Sequence, residues 1–148
     1  MLSNFRHSQP YIKRPELERL LCDIRRLLQD VSKMEIDHIL KKRMLNIGIW
    51  QVAWASGDFY SRYRSAAVIS TPGLTIQRDH IYQKKLLVQR LLSTDVDFDS
   101  VIAHSQCCIV TLDEHRSLHQ VNGGLDGWDR YQAAKIQVYD MVDKKPVA

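Results

Sequence analysis

After Pro15 the chain sets Leu17, Leu20, Leu21, Ile24, Leu27, Leu28 and Val31 three and four residues apart, which makes one side of a helix apolar. Glu16 and Glu18 fall in its first turn, where the helix dipole favours acids. A stripe of this kind must be covered by other elements, so the chain has to build a packed core. With 148 residues, 45% hydrophobic and 26% charged, it has the material to do so without a disulfide or a structural metal. We read one domain over residues 1–148: a loose basic arm at 1–14, a helical part at 15–44 and an α+β part at 45–148. The leucine stripe also offers a homodimer interface, but about three turns are short for a coiled coil, and internal packing is expected first.

Further along, Ser32 is placed to cap a second, shorter helix carrying Ile36, Ile39 and Leu40 and ending in Lys41, Lys42 and Arg43. From Leu45 the run LNIGIWQVAW is rich in β-branched and aromatic residues, and SGD at 56–58 is turn chemistry before FYSRYRS, so a β-hairpin is expected. Thr71, Pro72 and Gly73 supply another turn, and LTIQR alternates as a strand does. Ile81, Leu87, Val88, Leu91 and Leu92 mark a helix, with Asp95, Asp97 or Asp99 available to cap a short one after it. The apolar run CCIV is a strand. Thr111 with Glu114 three residues on has the form of a capping box for a helix that must end near Asn122. A helical turn and an edge strand complete the chain. The expected class is α+β: helices first, antiparallel hairpins in the middle, and a mixed C-terminal part.

Charge is uneven. Residues 1–64 hold 12 Lys/Arg against 7 Asp/Glu, whereas residues 65–148 hold 9 against 10. A basic half of this kind fits a nucleic-acid partner, and the candidate contacts are Lys41, Lys42, Arg43, Arg62, Arg64, Lys84 and Lys85. Three cysteines, two of them adjacent, form no disulfide framework and no C-x-x-C zinc pair. No apolar run approaches the ~18 residues of a membrane span, and the start lacks a signal-type apolar region, so a cytoplasmic protein with no membrane partner is expected.

The residues best placed for chemistry are Asp79 and His80, at the end of a predicted strand, and His115 and His119, four apart on the capped helix and so on one face of it. The order strand, RDHI, second strand, then a helix carrying EHRSLH resembles the ββα-metal unit of the HNH, or His-Me finger, nucleases. The resemblance covers about the central third of the chain. It implies a metal-dependent endonuclease with His80 as general base, Asp79 and His115 holding a divalent cation (Mg²⁺, Mn²⁺ or Zn²⁺), and His119 as a further ligand or phosphate contact. DNA is favoured over RNA as substrate. The chain departs from the family pattern in lacking a proline two residues after DHI, in the 26 residues from 81 to 106 between the two strands, and in having no structural cysteine pairs.

The alternative is a non-catalytic nucleic-acid-binding or regulatory protein that uses the same basic surfaces. A cysteine nucleophile is disfavoured because Cys107 and Cys108 sit in an apolar run. Trp50, Trp54 and Trp128 are expected in or beside the core, and Arg130 is available to a partner or to an internal carboxylate.

Overall fold

The computed structural model of the chain describes residues 10–56, 61–71, 73–121 and 123–148. Most of the basic arm, the glycine and aspartate of the SGD turn, Phe59, Tyr60, Pro72 and Asn122 lie outside the described residues. In chain order the elements are α1 (Leu17–Lys33), α2 (His38–Ala55), β1 (Tyr63–Ser65), α3 (Ala66–Ser70), β2 (Ile76–His80), α4 (Lys84–Leu91), α5 (Phe98–His104), β3 (Cys107–Thr111), α6 (Leu112–His119), α7 (Trp128–Ala133), β4 (Val138–Asp140) and β5 (Lys145–Pro146). The class is α+β. Two compact units share the described residues: those within 13–57 and 82–106, and those within 1–12, 58–81 and 107–148.

The first unit is helical. The α1 stripe buries Leu17, Ile24, Leu28 and Val31, joined by Leu45, Ile49, Val52 and Ala55 of α2, Leu87, Val88 and Leu91 of α4, and Val101 of α5. Asp37, not Ser32, caps α2 by accepting from the Leu40 amide; the Ser32 hydroxyl donates instead to the Leu28 carbonyl, back inside α1. Asp97 caps α5.

The hairpin expected from Leu45 is a helix, since α2 runs unbroken from His38 to Ala55 and the helical region passes residue 44. The physical reason lies in spacing. Leu45, Ile49 and Val52 recur at four and three, so a helix gathers them on one side against α1, and that burial outweighs the weak strand preference of their branched side chains. Gly48 is on the same side, where an added Cβ would lie 2.5 Å from Leu28 Cδ2. The two helices therefore approach closely at this point. Trp54, expected near the core, is 49% exposed.

The second unit holds a five-stranded mixed sheet in the order β2-β3-β1-β4-β5. β1 and β3 run parallel, whereas β2 with β3, β1 with β4 and β4 with β5 are antiparallel. The expected meander of antiparallel hairpins is thus replaced by a mixed sheet, and β4 lies inside the sheet rather than at its edge. Every residue of β3 is buried, in keeping with its apolar run over 107–110. No helix among the described residues is long and apolar enough to cross a membrane.

Gly48→Ala checks the close approach of α1 and α2. Alanine favours a helix by roughly 1 kcal/mol, but overpacking against a Leu28 that is 1% exposed costs about 1–3 kcal/mol. The expected net result is a lower denaturation midpoint by urea titration, with the slope unchanged. A stabilised variant would mean that the helices stand further apart.

Candidate metal centre

β2 and β3 pair with Asp79 opposite Cys108 and His80 opposite Cys107. Directly after β3 the chain turns into α6, and the capping box expected from the sequence fixes the turn: the Glu114 amide donates to Thr111 Oγ1 at 3.1 Å, and the Thr111 amide donates to Glu114 Oε2 at 2.9 Å. Ser65, at the end of β1, donates its hydroxyl to the same carboxylate at 2.6 Å. The start of α6 is thereby tied to two strands, and the face bearing His115 and His119 is set against the end of β2.

Asp79, His115 and His119 come together. Each can offer one ligand atom such that all three atoms lie within 4.8 Å of one another. Asp79 is buried, His115 half-buried and His119 exposed. His115 Nδ1 stands 3.3 Å from Asp79 Oδ1, and its other nitrogen, Nε2, is 3.1 Å from His119 Nε2. The two imidazole planes are nearly perpendicular, at 88°.

The other oxygen of Asp79 is fully engaged. Arg130 Nη2 donates to Oδ2 at 2.6 Å, and the Tyr131 hydroxyl donates to the same atom at 2.5 Å. Arg130 also donates to the His80 carbonyl at 2.7 Å, so α7 holds both the side chain and the backbone at the end of β2. Nothing in the sequence tied these two residues to Asp79 in particular. Of the two partners foreseen for Arg130, the internal carboxylate is the one found.

Burial shapes the protonation of the group. His115 titrates below its ordinary value, mainly because it is desolvated; the Asp79 charge opposes this and His119 reinforces it. Below that lowered value the ring is protonated, and at neutral pH it is uncharged with a lone pair to give. Burial raises the Tyr131 phenol well above its usual range, so it stays a donor to Asp79. Burial likewise raises the Cys108 thiol, aided by the Asp79 charge, which leaves it a poor nucleophile.

His80 is only 7% exposed and does not belong to the Asp79, His115 and His119 group. Successive residues of a strand leave opposite faces, so the side chain of His80 departs from the face on which Asp79 meets α6.

No family model, curated protein or solved structure matches this chain. The chemistry of the centre is therefore argued from its own residues. Two imidazoles and a carboxylate are suitable donors for a divalent first-row cation, and their separations allow one to be shared.

The candidate nucleic-acid contacts divide. Arg64 is fully buried and donates through Nε to the Ser61 carbonyl, so it does not serve a partner; its strand position turns it into the fold. Arg62 is committed as well, with Nε and Nη2 donating to the two oxygens of Asp140 at 2.8 and 2.6 Å. Lys84 places its ammonium 4.3 Å from the centre of the Trp50 ring. Lys41 donates to the Ser32 carbonyl at 3.4 Å, while Lys42, Arg43 and Lys85 are exposed.

Two outcomes check these assignments. Arg130→Met strands the Asp79 carboxylate in a buried site, and thermal or urea unfolding should record a loss on the order of 3–5 kcal/mol. Arg62 holds the Asp140 carboxyl below its ordinary value of 3.8, so the stability it contributes is present above that value and is lost as pH falls through the lower folded one. Asp140→Asn should therefore destabilise at pH 7, and its difference from the parent protein should shrink below about pH 4 in a pH series of denaturation midpoints.

Proposed function

We propose that this protein is a metal-dependent endonuclease, acting on DNA, whose centre is the group Asp79, His115 and His119. The single observation that carries the reading is that a paired β2 and β3 followed at once by α6 bring these three side chains within 4.8 Å of one another, from positions 79, 115 and 119. This is the order of elements and residue types for which the sequence resembles the ββα-metal nucleases.

A bound divalent cation would offset charge developing on the phosphate and on the leaving oxygen. The chain's own residues prepare the place. His115 and His119 present ring nitrogens, Asp79 supplies a carboxylate, and the capping box with its link to Ser65 keeps the helix from swinging away. His80 is the proposed base for the attacking water. The strand alternation that turns its side chain from the Asp79 face weighs against that role, which makes His80→Ala the discriminating substitution. Lys42, Arg43 and Lys85 are the exposed cations offered for phosphate backbone contact, and binding through them should weaken as salt rises.

The second reading, a non-catalytic nucleic-acid-binding protein, is favoured by one observation: Asp79 is already paired with Arg130 and so has less charge to give a cation.

The test is nicking of supercoiled plasmid by purified protein in EDTA, Mg²⁺, Mn²⁺ or Zn²⁺, beside His80→Ala and His115→Ala. Metal-dependent nicking that is lost in His115→Ala is the expected result. Loss in His80→Ala as well would assign the base to it, and retention would remove that role from His80. Absence of nicking with every metal, together with salt-sensitive DNA binding, would overturn the nuclease in favour of the binding protein.

A further inference from the structure

The helical unit leaves apolar side chains uncovered along α1 and α2. Leu27 of α1 and Leu40, Ile47 and Trp54 of α2 are between 45% and 57% exposed, and Leu20 is half-buried. Leu20 and Leu27 are seven residues apart, and so are Leu40, Ile47 and Trp54. Seven residues make about two turns, so each set forms a line along its own helix. The core of the unit is built from other positions of the same helices, such as Ile24 and Leu28 of α1 and Leu45 and Ile49 of α2.

The two lines meet in a groove of about 290 Å³, to which Leu20 and Leu27 contribute from α1 and Trp54 from α2. Leu20 is in the first turn of α1 and Trp54 in the last turn of α2, so the two helices run antiparallel beside it. Two charged residues, Arg14 and Asp23, line the same groove. Both are exposed, and among the described residues neither has an ion-pair partner within the chain.

Apolar residues that recur every seven positions are the pattern by which one helix lies along another at a shallow angle, so the face suits a helical occupant. Charge narrows the choice. The groove presents one cation and one anion, and its complement must present one anion and one cation. The groove itself is such a surface, because in a two-fold contact the same patch serves both partners. Two copies so related bring Arg14 of each toward Asp23 of the other.

We propose that this face of α1 and α2 is a homodimer interface, in which two copies close over each other's grooves as a four-helix bundle. It uses the exposed lines of the helices, whereas the buried residues of the leucine stripe stay inside the unit. The inference draws on nothing at the metal centre, so it stands or falls apart from the nuclease reading.

Sedimentation velocity of the full chain over a dilution series reads the oligomeric state, and a dimer that dissociates on dilution is expected. Leu27→Glu and Ile47→Glu put a good helix former at exposed positions, and circular dichroism should show the fold retained. A charge set into the interface should raise the dissociation constant by on the order of 100-fold. Arg14→Glu or Asp23→Arg alone sets like charges opposite one another and should raise it by about 10-fold, and combining the two should restore the dimer. Recovery in the double variant is a result that partial unfolding does not imitate. A monomer at every concentration would overturn the inference and leave the face to a different helical partner. A dimer indifferent to both glutamate substitutions, or a double reversal no tighter than the single ones, would overturn it too.

Discussion

The Asp79 carboxylate is the point on which the sheet unit turns. A buried negative charge is tolerated only with partners, and Asp79 has them on two sides: Arg130 and Tyr131 of α7 at one oxygen, and His115 of α6 at the other. Through this one side chain, α6 and α7 are both brought to the end of β2. Arg130 adds the His80 carbonyl to the same clamp, which ties down the strand end. The arrangement gives Asp79 two physical roles at once, a structural ion pair and an electrostatic neighbour to the histidines. The first limits how strongly it can act in the second.

The two units rest on different physics. The helical unit is held by an apolar cluster to which four helices contribute, and α1 and α2 approach closely where Gly48 leaves room for Leu28. The sheet unit has polar groups at its critical positions: Arg64 and Ser65 are fully buried, Asp140 is 3% exposed, and each is hydrogen-bonded. In the low dielectric of a protein interior such bonds are strong when complete and costly when broken. The stability of this unit therefore depends on particular polar contacts.

Features that depend on local chemistry were legible in the sequence. The Thr111 and Glu114 capping box, an aspartate cap for α5, which Asp97 of three candidates supplies, the shared face of His115 and His119, and the stripe of α1 apart from Leu27, which is exposed, follow from spacing or from side chains that bond their own neighbours, and all are present. What was not legible depended on distant partners. The run from Leu45 to Trp54 has the composition of a strand, and only its packing on α1 makes it a helix. Arg62 and Arg64 read as a basic surface because nothing in the sequence announces that Asp140, 78 residues after Arg62, is its partner. The α+β class survived these misreadings because it depends on the presence of both element types, whereas the sheet order depends on pairings that span the chain. Asp79 and His80 are adjacent in sequence but alternate across the strand, so a motif that names them together hides that they serve different faces.

The interruption between β2 and β3 has a consequence for how the centre comes into being. The strands are neighbours in the sheet, yet 26 residues, from 81 to 106, separate them, and those residues carry the whole of α4 and α5. Joining the ends of such a segment costs roughly 3 kcal/mol of chain entropy, against far less for a two-residue turn. Arg130 is a further 50 residues from His80. Asp79 therefore meets His115 and Arg130 only when contacts far apart in sequence have formed, and such contacts are the slow ones in folding. The histidine pair, by contrast, is set within one helix. Once α6 has formed, the two imidazoles stand together, whereas their meeting with Asp79 waits for the pairing of β2 with β3.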